Sequence, residues 1–194
     1  GNSNTKTIED MVTVVDDCPN CISYGNMDYA TAITLVNFNE INNATGKDAP
    51  YTDYSNDIST TVEAGDSYDL TVNINTDGNY TVYAKAWIDW DQNLNFDDPN
   101  EEYDLGFATN TADGPTDLSP LTITIPQNAL NGSTTMRVSA KYNGYPTPCE
   151  TNFDGEVEDY EIVVNNILGV ISNTLETNPI IYPNPTQGNF SIDL

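Results

Sequence analysis

Apolar and polar residues alternate along this chain in short runs, and clusters rich in Gly, Pro, Asn and Asp separate the runs. A period of two puts successive side chains on opposite faces of an extended strand. The pattern predicts strands over Thr31 to Phe38, Ser67 to Ile74, Tyr80 to Trp90, Leu121 to Ile125, Thr134 to Tyr142 and Val157 to Val164. Turn-forming clusters lie between them at Asn42 to Pro50, Thr76 to Asn79, Asp113 to Pro115 and Asn131-Gly132. No helical period stands out, so the expected fold is all-β, a two-sheet antiparallel sandwich of jelly-roll-like form.

Two strands show which face is buried. Val82, Ala84, Ala86 and Ile88 share one face and read as core, while Tyr83, Lys85, Trp87 and Asp89 share the other. Near the end of the sandwich, Tyr160, Ile162 and Val164 share a face, with Asp159 and Glu161 opposite. The texture changes after Asn166. Residues 1–20 read as a lead-in, 21–166 as the sandwich, 167–178 as a linker, and 179–194 as the start of a further β unit. Two short strands around Pro183-Asn184-Pro185 are too few for an independent core.

Charge narrows the function. Five Lys plus Arg stand against thirty Asp plus Glu, a net charge of -25, which repels polyanions and argues against nucleic acid or sulfated polymers as partners. Histidine is absent, which excludes His-based triads and His-ligated zinc or iron. Carboxylate pairs could serve glycoside hydrolysis, but a chain this acidic supplies such pairs by chance. No run approaches the length of a membrane span, and any signal peptide is expected upstream. Of the three cysteines, Cys18 and Cys21 stand close together and Cys149 far away. A disulfide from either of the first two to Cys149 would join the domain's beginning to its end and imply an oxidising compartment.

The residues with the most definite chemistry run from Asp89 to Glu102. Oxygen-bearing side chains alternate at Asp89, Asp91 and Asn93, and carboxylates return at Asp97, Asp98, Glu101 and Glu102. Calcium takes about six to eight oxygen ligands, and a tight loop with a ligand at every second residue can supply them. The expected set is Asp89, Asp91, Asn93, Asp97 and the backbone of Asn95, completed by Glu101, Glu102, Glu156 or Glu158. The loop opens like an EF-hand, but Leu94 occupies the sharp-turn glycine position and Asn100 the place of the closing glutamate. Six carboxylates within fourteen residues would repel one another without a cation. A second cluster, Asp154-Gly155-Glu156-Val157-Glu158-Asp159-Tyr160, opens the last strand. The two clusters together predict a shared end of the sandwich, where Glu156 or Glu158 reaches the cation.

Trp87-Ile88-Asp89-Trp90-Asp91-Gln92-Asn93 with Phe96-Asp97-Asp98, followed by Gly155-Glu156-Val157-Glu158-Asp159-Tyr160, resembles the two signatures of the GEVED domain. Upstream, Cys21 to Gly25, Ile33 to Phe38, Ile41-Asn42-Asn43, Thr45-Gly46 and Tyr51 to Tyr54 are similar to the family's opening blocks. The resemblance implies a non-catalytic accessory module of a secreted protein and favours Cys21 as the partner of Cys149. Leu94 departs from the family's turn glycine, and Cys18 is additional. Tyr182 to Phe190 resembles the start of the C-terminal sorting domain read by the type IX secretion system of Bacteroidetes. That implies export across the outer membrane to the medium or the cell surface.

Two functions follow as expectations. One is a module that holds an extracellular hydrolase on a polysaccharide, a neutral glycan fitting the charge best. Tyr83, Trp87, Tyr142 and Tyr145 are the candidate rings, unless Trp87 packs inside the second sheet. The other is a calcium-rigidified structural or adhesive spacer before the sorting domain, with a cell-surface or matrix protein as partner.

Overall fold

The computed structural model describes residues 21–166. The expected lead-in, linker and sorting-domain segment, and Cys18 with them, lie outside the described residues.

Thirteen strands follow in order: β1 (Tyr24–Gly25), β2 (Ala32–Phe38), β3 (Ile41–Ala44), β4 (Tyr51–Asp53), β5 (Ser59–Glu63), β6 (Ser67–Asn75), β7 (Thr81–Ile88), β8 (Glu102–Thr109), β9 (Gly114–Pro115), β10 (Leu121–Thr124), β11 (Gly132–Tyr142), β12 (Thr151–Phe153) and β13 (Gly155–Asn165). One sheet runs β10-β6-β2-β3, with β9 also paired to β6; a second runs β4-β13-β11-β7-β8, with β5 also on β13; β1 and β12 form a third, two-stranded sheet. The described residues form an all-β, sandwich-like fold, as the alternation predicts. Its main ladders are antiparallel, but β4 and β5 each pair with β13 in parallel, and β1 pairs with β12 in parallel.

The core lies between the inner faces. Ile33, Val36, Phe38, Leu70, Val72 and Ile74 come from one sheet, and Val82, Ala84, Ala86, Ile88, Met136, Val138, Ile162 and Val164 from the other. All six predicted strands form. Those the alternation missed are short, edge-bound or interrupted. The largest is β8, whose pairing with β7 slips between Tyr83 and Lys85, a bulge that breaks the period of two beside Gly106. Gly106 has a φ of 75°, in the region glycine favours.

The Gly155-to-Tyr160 segment is buried throughout, and its carboxylates bind the sandwich together. Glu156 and Glu158 share the parity of Tyr160, Ile162 and Val164, so they point between the sheets. The main-chain N–H of Ile33 donates to Glu156 Oε2 at 2.9 Å. Glu158 Oε1 accepts from the Thr45 hydroxyl at 2.9 Å, and Oε2 accepts from the Tyr160 hydroxyl at 2.7 Å. Asn43 Nδ2 then donates to Tyr160 Oη at 2.9 Å. Two carboxylates of β13 are thus hydrogen-bonded across the core to β2 and to the chain around β3. Burial is the main cause that pushes their pKa values up, Glu156 to about 8 and Glu158 to about 7. Gly155 sits where a Cβ would lie 2.0 Å from the Ala140 carbonyl oxygen, so no larger residue fits.

On the outer face, Asp159 forms a two-pronged pair with the buried Arg137, Nε to Oδ1 at 2.8 Å and Nη2 to Oδ2 at 2.7 Å. Arg137 Nη1 also donates to the carbonyls of Cys21 and Pro148 at 2.8 and 2.9 Å. That holds the segments bridged by the Cys21–Cys149 disulfide, whose Cα atoms lie 5.1 Å apart. The bridge spans 128 residues, a closure worth about 4 to 5 kcal/mol in the chain-entropy account.

Candidate functional site

The loop from β7 to β8 begins where β7 leaves the sheet. Its first residue, Asp89, is anchored from both sides of the backbone. Its N–H donates to the Thr135 carbonyl at 3.3 Å, and its carbonyl accepts the Thr134 hydroxyl. The Asp89 carboxylate folds the loop back over itself, Oδ1 accepting from the N–H of Asn93 at 3.1 Å and Oδ2 from that of Leu94 at 3.0 Å. Further side-chain turns follow. The N–H of Asn95 donates to Asn93 Oδ1 at 2.7 Å, and that of Asp97 to Asn95 Oδ1 at 3.2 Å. Leu94 takes a φ of 67°, so the left-handed turn persists without a glycine. Phe96 then packs its ring 5.2 Å from the Arg137 guanidinium, fixing the loop to the outer face.

Three carboxylates converge here. Asp89, Asp91 and Glu101 each present an oxygen within 4.8 Å of the others. Asp89 and Glu101 are only 2% exposed, while Asp91 is open to solvent. Glu101 Oε1 accepts from the N–H of Trp90 at 2.7 Å, but its buried Oε2 has no hydrogen-bond partner among the described residues. Burial, opposed by the Trp90 N–H and reinforced by the charge on Asp89, pushes the pKa of Glu101 up to about 7. Burial also raises that of Asp89, partly offset by the N–H groups of Leu94 and Asn93. Beside the carboxylates opens a cleft of about 290 Å³, lined by Trp90, Asp98, Pro99, Pro126 and Asn128 as well.

The other predicted ligands divide. Asn93, Asn95 and Asp97 are in the loop and take part in its turns; Asn93 Nδ2 also donates to Asp98 Oδ2 at 2.7 Å. Glu102 is turned away, since neighbouring strand residues face opposite sides. It pairs with Lys85 at 2.5 Å and accepts from Trp87 Nε1 at 3.3 Å.

Glu156 and Glu158 do not share the loop's end of the sandwich. Strand β11 is antiparallel to both β7 and β13, so those two run in the same direction. The start of β13 therefore lies beside the start of β7, whereas the acidic loop follows its end. In register, Glu156 stands with Ala140 and Ala84, and Asp89 is bonded to Thr135, five residues further down β11. That is on the order of 17 Å along a strand, far beyond a shared coordination shell.

The predicted rings also separate. Trp87 is fully buried against the loop side of the outer face and offers no exposed platform. Tyr83 and Tyr145 do meet, centroids 4.8 Å apart, and Phe107 joins them at 5.6 Å from Tyr83. Tyr145 and Phe107 are 43% and 39% exposed. Sequence reasoning missed Phe107. The bulge in β8 sets Phe107 opposite Tyr83 and Asp104 opposite Lys85, so Phe107 lies outward although it is two residues from the buried Leu105. Tyr142 lies with Tyr80 instead, 5.4 Å apart and nearly perpendicular.

Fold and site together define an all-β module with an acidic loop at one end and a disulfide across its outer face. A GEVED domain is found at residues 83–163. Among solved structures, the chain is similar to the Pseudomonas fluorescens alkylpurine DNA glycosylase AlkC bound to DNA containing an abasic site analog. The identity is 8% and the TM-score 0.39, over 70% of this chain and 31% of that one, so the chain spans under a third of its length. No curated protein matches the chain.

Proposed function

We propose that this protein is a non-catalytic, calcium-binding accessory module of an exported protein. The observation that carries the reading is the convergence of Asp89, Asp91 and Glu101 with a buried Glu101 oxygen left without a partner. An unpaired buried carboxylate oxygen is costly, and a hard divalent cation would satisfy it. Calcium suits a set made only of oxygens on a loop with solvent on one side. Asp89, Asp91 and Glu101 would hold it, with Asn93, Asn95 and Asp97 close by on the same loop.

A ligand that binds only the folded state stabilises it by mass action, about 2.7 kcal/mol at a hundred times its dissociation constant. Saturating calcium should raise the melting temperature, a chelator should lower it, and Asp89→Ala should lose the response. Identical melting of the wild type in calcium and in chelator would leave the loop a solvated acidic turn.

The Tyr83, Phe107 and Tyr145 rings support polysaccharide binding, a neutral glycan best suiting the charge. Binding to an insoluble neutral polysaccharide should fall several-fold in Tyr145→Ala. Retention unchanged by that substitution would count against the patch. The alternative is a calcium-rigidified spacer, favoured by the Glu156 and Glu158 clamp and the Arg137 hub, which stiffen the sandwich without requiring a ligand. Type IX export to the medium or cell surface remains part of the proposal and rests on the sequence of residues 179–194.

A further inference from the structure

A second concave feature lies at the end of the sandwich away from the acidic loop. Tyr80 precedes β7 on the parity of Val82, and Tyr142 closes β11 on the parity of Ala140, so both rings continue core-facing rows past the last core residues. Their edge-to-face contact, 5.4 Å between centroids at 81°, makes a corner and not a flat platform. Tyr29, Asp77 and Asp154 complete a pocket of about 440 Å³.

The main chain that carries both carboxylates is fixed in place. The N–H of Tyr142 donates to the Asp154 carbonyl at 2.9 Å, which ties that residue to the ring beside it. Asp77 sits at φ 52° in a turn where its N–H donates to Asn75 Oδ1 at 2.9 Å. Asp154 Oδ1 is buried with no hydrogen-bond partner among the described residues, although the residue lines an open pocket. Lys47 is the nearby cation. It already donates to the Tyr29 carbonyl at 2.9 Å, and the charges of Asp154, Asp77 and Asp28 act on it, so carboxylates outnumber it.

We propose that this pocket takes a lysine or arginine side chain from a basic segment of a partner protein. Three tyrosine rings offer the negative faces that attract an alkylammonium or guanidinium. Asp77 and Asp154 in the pocket wall supply carboxylates for the N–H donors that such a cation carries and a quaternary ammonium lacks. A sugar ring prefers to stack on an open aromatic face, and a perpendicular corner does not offer one. The net charge of -25 would steer a basic partner toward this surface. The site is distinct from the calcium loop and from the Tyr83 patch, and its test does not depend on either.

The experiment titrates the full chain with Nα-acetyl-arginine methylamide, its lysine counterpart, the neutral norleucine counterpart and a neutral hexasaccharide, following tyrosine ring resonances by NMR. The two cations should give saturable shifts at Tyr80 and Tyr142, and the norleucine compound and hexasaccharide should not. Asp154→Asn and Tyr80→Ala should each weaken cation binding about tenfold or more, with the melting temperature confirming that each variant is folded. Equal binding of the norleucine compound, binding of the hexasaccharide alone, shifts without saturation, or unaltered cation binding in both variants would each overturn the proposal.

Discussion

Leu94 shows how one residue can oppose its loop without changing its course. The turn needs a left-handed backbone at this position, and the leucine adopts it at φ 67° because the Asp89 carboxylate holds its N–H and the following side-chain turns continue the path. Left-handed geometry costs a residue with a Cβ roughly 1 to 2 kcal/mol. Leu94 is also 45% exposed, so its side chain adds little packing in return. Leu94→Gly should therefore raise stability by about 1 kcal/mol in chemical denaturation, less any entropy glycine adds to the unfolded chain, and should keep the calcium response. A loss of stability would mean that the leucine makes contacts worth more than its strain.

At the scale of the strand, β13 carries two carboxylates between the sheets where apolar residues would be the default. Burial raises both pKa values above the ordinary 4.5, to about 8 for Glu156 and about 7 for Glu158. Between those limits the native state holds more protons than the unfolded chain. The contribution to stability is therefore complete below the unfolded value and is lost as pH rises through the folded ones. In chelator, the melting temperature should fall as pH rises from about 5 to 8. Glu156→Gln keeps an oxygen for the Ile33 N–H but removes the titration, so the slope should flatten. An unchanged slope in that variant would place the titrating group elsewhere.

For the whole molecule, the segment that matches the GEVED family, residues 83–163, is smaller than the folding unit. It holds β8 to β12 and most of β7 and β13, but the opposing sheet is built largely from β2, β3 and β6. The segment itself omits Val82 and Val164, and without those strands Ala84, Ala86, Val138 and Ile162 lose the cover of Ile33, Val36, Phe38, Leu70, Val72 and Ile74. Glu156 and Glu158 would lose Ile33 and Thr45 as well. A fragment of residues 83–163 should show no dispersed amide spectrum, while residues 21–166 should fold. A cooperative melt from the shorter fragment would refute the dependence on the first sheet.

Alternation was enough to read the all-β class, the six principal strands and the core faces of β7 and β13, because a period of two is a local property of the chain. The acidic loop was legible for the same reason, its oxygens being spaced along one continuous segment. Whether Cys18 or Cys21 met Cys149 needed the family resemblance, and the structure places Cys21 there. The tertiary structure decided what depends on strand direction and register. Two strands flanking one antiparallel neighbour run the same way, which put Glu156 toward the end opposite Asp89, Glu158 at mid-strand, and both between the sheets. The bulge beside Gly106 turned Phe107 outward, and packing on the outer face buried Trp87 opposite Arg137. None of these is encoded in spacing along the chain, because each arises from which strands become neighbours and how their residues align.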